Sequence, residues 1–165
     1  TQGLVQGCQP IISFNYGAGN TDRVKQCFKI LLTFAAGYTI LFWSATMLIP
    51  QVFVRIFNND AALVEHTVWA MRIYMACIFS LGFQLACQQT FMALGQAKVS
   101  LLLACLRKLI LLIPLIFILP LFFESKVFAV FLAEPVSDII AAVVTVTVFF
   151  TRFDKILKKG PEKIG

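Results

Sequence analysis

The segment QGCQPIISFNYGAGN at residues 6–20 combines an apolar core with amides, a proline and a hydroxyl group. An unpaired amide in hydrocarbon costs on the order of 1–3 kcal/mol, so such side chains in a membrane helix usually face another helix or a wet cavity. Gly17, Gly19 and Asn20 are typical of a helix end, and basic residues follow from Arg23 onward. The segment therefore predicts the inner end of a membrane helix that leads into a cytoplasmic loop.

The whole chain has the composition of an integral membrane protein. Its 165 residues are 59% hydrophobic and 13% charged, whereas soluble domains are roughly 45–50% apolar and about 25% charged. The formal net charge of +6 could indicate nucleic-acid binding, but the basic residues lie at the ends of apolar runs, where they indicate membrane topology. We therefore predict an all-α membrane protein that is partnered by the lipid bilayer and not by nucleic acid.

Apolar runs divide the chain into membrane segments. Residues 1–17 are too few to cross a bilayer core, which needs roughly 20 helical residues, so we expect the C-terminal part of a longer protein. A membrane unit at 18–152 follows, and its four predicted transmembrane helices span about 24–49, 61–94, 99–123 and 127–151. An amphipathic segment at 51–60 is predicted to lie at the interface, and residues 153–165 form a basic tail.

Charge alternates between successive connections and predicts the orientation. The first and third connections and the C-terminal tail are basic, whereas the other two connections carry acids beside their basic residues. The positive-inside rule therefore predicts a multi-pass plasma-membrane protein with a cytoplasmic C-terminus. Arg107 and Lys108 lie early in the predicted helix 99–123, and their long stems are expected to reach back toward the cytoplasmic boundary.

Two carboxylates lie inside the last predicted helix. Glu134 and Asp138 are four residues apart, so they share one helix face. A charge at the centre of a membrane helix costs about 2.5–3.5 kcal/mol, so both should face protein, water or a cation. Pro135 frees the carbonyl of Phe131, and free carbonyls beside carboxylates are used by transporters to bind cations. Both acids are therefore candidates for cation coupling or proton relay, the alternative being a structural helix contact.

Further polar residues lie in apolar surroundings. They can either line a substrate cavity or join neighbouring helices by hydrogen bonds, and the sequence leaves both roles open. These residues are Gln6, Gln9, Asn15, Tyr16, Gln84, Gln88 and Gln89.

Sequence signatures of catalysis are missing. The chain has no phosphate-binding loop with Lys-Ser/Thr, no GxSxG motif and no HExxH motif. Its five cysteines form no CxxC pair and do not cluster with His66. We therefore expect neither an enzyme nor a metal site nor an organic cofactor.

Four motifs, in order along the chain, resemble those of the multidrug and toxic compound extrusion (MATE) transporters, in particular the bacterial branch related to staphylococcal multidrug exporters. Residues 6–20 with RVK at 23–25 resemble the eighth helix of that family, and QQTFMALGQAK at 88–98 resembles the end of the tenth. Arg107 with IPL at 113–115 and LP at 119–120 is similar to the eleventh helix, and AEPVSD at 133–138 is similar to the twelfth.

The resemblance implies a fold and a function. The fold would be twelve helices in two lobes around a central cavity, with this chain holding the end of helix 8 and helices 9–12. The function would be export of cationic or amphipathic drugs in exchange for Na⁺ or H⁺ by alternating access, with the first lobe of the parent chain as partner and no cofactor besides the coupling ion.

Two other functions stay open at this stage. A relative in the same superfamily could flip lipid-linked precursors, and a non-transporting membrane scaffold or a nonfunctional fragment would have similar composition. The motif at residues 6–25 favours the exporter.

Overall fold

The computed structural model describes residues 1–57 and 60–160, and the regular structure within them is helical. The helices are α1 (Gln2–Gly17), α2 (Thr21–Leu48), α3 (Pro50–Arg55), α4 (Ala61–Tyr74), α5 (Ser80–Ala93), α6 (Ala97–Cys105), a π-helix (Leu106–Leu112), α7 (Ile113–Phe122) and α8 (Lys126–Lys159).

Helix α5 lies at the centre of the bundle, packed against α1, α2 and α8. Its Phe91 is fully buried and meets Phe149 of α8 edge to face, with ring centroids 5.1 Å apart. Phe28 of α2 adds a ring 4.6 Å from Phe149. Aromatic pairs at these distances contribute about 0.5–1.5 kcal/mol beyond the burial of their area, so this aromatic core joins three helices at one level.

Three stretches among the described residues are long and apolar enough to cross a membrane: Thr21–Leu48, Ala97–Phe122 and Lys126–Lys159. The second is one continuous span made of α6, the π-helix and α7. Its C-terminal half is highly exposed, with Phe117 72% and Leu121 82% accessible. Such a surface is suited to contact with lipid or with the rest of a larger protein.

The predicted helix 61–94 is two helices, α4 and α5, separated by tight turns at residues 75–79. No glycine or proline marks this break. Side chains of α2 bond its carbonyls instead: the Trp43 indole donates to the carbonyl of Ala76 over 2.8 Å, and the Thr39 hydroxyl lies 3.3 Å from the carbonyl of Phe79. The break therefore depends on contacts with another helix.

Helix α8 continues to Lys159, eight residues past the predicted end at 151, so the predicted tail 153–165 begins as helix. Phe153 and Leu157 lie on the buried face of this extension. Burial of this apolar face stabilises the helical conformation beyond residue 151. The Tyr16 hydroxyl donates to the carbonyl of Gly160 over 2.8 Å. The end of α8 is thus held against the end of α1, while residues 161–165 lie outside the described residues.

The remaining bounds differ less from the predictions. Helix α2 begins at Thr21, after a turn in which Gly19 has a φ of +75°, a conformation that favours glycine. Of the predicted interfacial segment 51–60, Pro50–Arg55 is helical and Asp60 caps α4 by accepting a hydrogen bond from the amide of Ala62. Residues 58–59 lie outside the described residues.

Candidate functional site

Four charged side chains meet between the π-helix and α8, and we call them the charge cluster: Arg107, Lys108, Glu134 and Asp138. Arg107 Nε donates to Asp138 Oδ1 over 2.6 Å, and Lys108 Nζ donates to Glu134 Oε1 over 2.9 Å. Arg107 Nη2 also lies 3.6 Å from Glu134 Oε1. The two positive and two negative formal charges cancel, so the cluster is neutral as a whole.

The π-helix explains how two consecutive basic residues reach the same neighbour. A π turn holds more residues than an α turn, so consecutive side chains point in more similar directions than they would on an α-helix. The segment ends shortly before Pro114, which lacks an amide donor and crowds the preceding turn. A local widening at this position therefore presents both Arg107 and Lys108 toward α8.

Helix α8 presents the acids from one face. Glu134 and Asp138 lie one helical turn apart, and Pro135 and Ser137 lie between them in the sequence. The Ser137 hydroxyl donates a hydrogen bond to the backbone carbonyl of Arg107 over 2.9 Å. At a rise of about 1.5 Å per residue, Asp138 lies roughly 18 Å along α8 from Lys126. In a hydrocarbon core about 30 Å thick that begins near Lys126, Asp138 would lie near the middle.

Exposure differs across the charge cluster. The side chains of Asp138, Glu134 and Arg107 are 7%, 14% and 19% accessible, whereas that of Lys108 is 54% accessible. Buried charges in low dielectric need compensating partners, because an uncompensated one is strongly destabilising. Arg107 and Asp138 thus form the buried pair, and Lys108 joins the cluster from its open side.

The expectation that Arg107 and Lys108 reach back to the cytoplasmic boundary is wrong. Both side chains bond to acids on the neighbouring helix instead. An ion pair with a facing carboxylate satisfies a charge at this depth, so no extension to the boundary is needed. The sequence reasoning found the two acids and missed their two basic partners and Ser137.

A usable sequence signal for these partners did exist. The short turn at residues 123–125 folds the two spans into an antiparallel hairpin, which places residues equally far from the turn at about the same depth. Arg107 precedes the turn by about as many residues as Asp138 follows it. Opposite charges at matching depths of adjacent spans indicate an ion pair.

The other predicted polar residues lie on α1 and α5, away from the bonds that build the charge cluster. Gln88 donates to the carbonyl of Ser100 over 3.1 Å, and the Ser100 hydroxyl lies 3.2 Å from the carbonyl of Gln88, which joins α5 to α6. Asn15 donates to its own helix at Ile11. Gln88 therefore serves as a helix–helix contact here.

The remaining candidates differ in burial. Gln84 is only 2% exposed, and its Oε1 atom has no hydrogen-bond partner among the described residues. Gln9 and Gln89 are half-buried, whereas Gln6 is exposed on α1. Tyr16, as described above, is bonded to the end of α8. Whether any of them contacts a substrate stays a prediction.

Comparisons with known proteins agree with this architecture. A sequence model of the MatE family matches residues 1–118. The multidrug export protein MepA of Staphylococcus aureus (strain NCTC 8325 / PS 47) is 26% identical over 144 residues, which cover 86% of this chain and 32% of that relative. The chain therefore spans about a third of the length of the curated relatives it matches.

Solved structures show the same fold. The MATE multidrug transporter DinF-BH superposes with a TM-score of 0.84 at 30% identity, covering 94% of this chain and 34% of that one. An outward-facing multidrug resistance MATE transporter of the MOP superfamily gives a TM-score of 0.83 at 16% identity, over 93% of this chain and 35% of that one.

The prediction of an all-α membrane fold is confirmed by these superpositions. The family is one of transporters and not of enzymes. With its model matched over residues 1–118 and its fold reproduced, the chain belongs to the MatE family of multi-pass membrane transporters.

Proposed function

We propose that the complete protein is a secondary active antiporter that exports cationic or amphipathic drugs in exchange for Na⁺ or H⁺ by alternating access. This chain supplies most of the second lobe, and the first lobe of the parent chain is its partner. The relatives named as multidrug exporters and transporters support drug export. The observation that carries the proposal is a pair of acids, Glu134 and Asp138, held one turn apart on a helix that is long and apolar enough to cross a membrane.

The two acids are suited to ion coupling because the negative charge of a carboxylate can be neutralised by a bound cation or by a proton. Acids inside membrane segments are costly and mark ion and proton pathways. Glu134 and Asp138 pair with the cationic groups of Lys108 and Arg107, so a proton or an external cation would have to compete with these two side chains for the carboxylates. No organic cofactor is needed for this chemistry, only the coupling ion.

Plasma-membrane insertion with a cytoplasmic C-terminus is part of the proposal. Lys25 near the start of α2 pairs with Asp154 near the end of α8 at 3.1 Å, so these two ends lie on the same side of the bundle. Both ends are rich in Lys and Arg, which supports a cytoplasmic location under the positive-inside rule. The exposed apolar faces then contact lipid or the first lobe.

Ethidium efflux from cells that express the complete gene tests this function. We expect efflux above the empty-vector level. Removing one of the two gradients, Na⁺ or proton, should abolish this efflux, and removing the other should not, because a single gradient drives the exchange. Absence of efflux under all conditions, with the protein shown in the membrane, would contradict drug export and favour a flippase for lipid-linked precursors. If the complete protein transported neither drugs nor lipid-linked precursors, a scaffold role would be favoured.

A further inference from the structure

Arg107 and Lys108 hold the two acids in different ways. Arg107 is fixed at three points: Nε on Asp138 at 2.6 Å, Nη2 near Glu134, and its backbone carbonyl bonded by Ser137. The ammonium group of Lys108 is held by Glu134 Oε1 at 2.9 Å. Its side chain is also 54% accessible, against 19% for Arg107.

Glu134 depends on Lys108 for its short ion pair. Charge-assisted hydrogen bonds measure about 2.7–2.9 Å, and the contact from Lys108 falls in that range, whereas Arg107 Nη2 is 3.6 Å away. If Lys108 withdraws, Arg107, Glu134 and Asp138 together carry one net negative charge. That deficit is compensated by one monovalent cation.

We propose that Lys108 is a tethered counter-cation of Glu134, which a monovalent organic cation displaces when it binds. The exposed lysine stem gives the ammonium group room to move away, whereas Arg107 keeps Asp138 paired throughout. A lysine ammonium on a flexible stem exchanges more readily than a guanidinium held by several bonds. This inference rests on the proposed drug export and assigns the substrate cation to Glu134.

The exchange has a measurable consequence for affinity. If Glu134 can bind an organic cation only while Lys108 is away, the apparent Kd equals the intrinsic Kd divided by the fraction of transporters in which Lys108 is away. If Lys108 occupies Glu134 about 90% of the time, removing it should tighten the binding of an organic cation about tenfold. Removal of a lysine that does not contact the cluster should leave the affinity unchanged.

The test measures ethidium binding to the full-length transporter in lipid nanodiscs by fluorescence anisotropy. We expect Lys108→Met to lower the Kd for ethidium about tenfold. Lys98→Met removes the same charge from an exposed position near the start of the same span and should leave the Kd within about twofold of wild type. Lys108→Arg keeps a tethered cation and should not tighten binding.

Glu134→Gln identifies the site of the exchange. It should weaken ethidium binding and should also abolish the effect of Lys108→Met, so that the double variant binds no more tightly than Glu134→Gln alone. Lys108→Gln serves as the second neutral variant if Lys108→Met fails to fold.

Several results would overturn the inference. A Kd that Lys108→Met leaves unchanged or raises, while wild type binds ethidium, would refute the displacement and leave drug export standing. Equal tightening by Lys98→Met would show a general charge effect. A folded wild-type transporter that binds no ethidium would refute the proposed function and this inference together.

Discussion

Arg107→Gln should lower the free energy of unfolding of the full-length transporter by about 3–5 kcal/mol, the usual cost of removing one partner of a buried ion pair. The guanidinium of Arg107 bonds Asp138 over 2.6 Å, and the Asp138 side chain is 7% accessible. Without Arg107, the carboxylate of Asp138 stays buried and loses this short ion pair. Unfolding by sodium dodecyl sulfate, followed by tryptophan fluorescence of the purified protein, measures the loss.

A second substitution separates charge from packing. Arg107→Gln combined with Asp138→Asn removes both charges and leaves two groups that can still hydrogen-bond, so the double variant should regain most of the lost stability. Arg152→Gln, at an exposed position of α8, is the matched control and should change the stability by less than about 0.5 kcal/mol. If the double variant were no more stable than Arg107→Gln, the stabilisation would come from the shape of the arginine and not from its charge.

Gly82→Ala should destabilise the bundle by about 1–3 kcal/mol, the typical cost of adding a group to a well-packed interior. Gly82 of α5 lies directly against α2: an added Cβ would overlap the hydroxyl of Thr39 and stand 2.7 Å from the carbonyl oxygen of Ala35. Backbone cannot yield as a flexible side chain can, so the two helices would have to separate. The same unfolding assay on the full-length protein measures the effect.

Gly37→Ala is the control for that substitution. An added Cβ at Gly37 of α2 meets no atom of the described residues within 4 Å. Alanine is also a better helix former than glycine by about 1 kcal/mol, so this variant should be as stable as wild type or slightly more stable. Equal losses from Gly82→Ala and Gly37→Ala would contradict the close approach of α2 and α5.

Much of this fold could be predicted from the sequence because membrane helices are marked by composition. Long apolar runs bounded by basic residues, such as that between Lys29 and Arg55, leave little choice of structure. The motif at residues 6–25 is the sequence feature that most clearly indicates the MATE family, and the matched family model confirms this membership.

The break between α4 and α5 could not be predicted in the same way. Residues 75–79 are as apolar as their neighbours and contain no helix breaker. The turns persist because Trp43 and Thr39 of another helix bond the freed carbonyls. The sequence around residues 75–79 does not reveal these hydrogen bonds, because their donors lie on another helix.

The candidate site was half predictable. Acids such as Glu134 and Asp138 stand out because a membrane helix seldom carries them, whereas the sequence pattern around Arg107 and Lys108 is equally typical of residues at a membrane boundary. Their true partners depend on a hairpin alignment and on the extra width of a π turn before Pro114. Reading each helix alone therefore reveals one half of an interhelical cluster.

We propose that the acids of α8 couple drug movement to an ion gradient. This coupling is tested by ethidium efflux from cells with full-length transporters carrying Glu134→Gln or Asp138→Asn, at equal amounts of protein in the membrane. Glu124→Gln, in the exposed turn before α8, is the matched control. We expect efflux to fall about tenfold or more in at least one of the two acid variants, because an uncharged amide cannot take part in proton or cation coupling, while the control keeps wild-type efflux. Normal efflux with normal gradient dependence in both acid variants would contradict the claim and reduce the charge cluster to a structural contact.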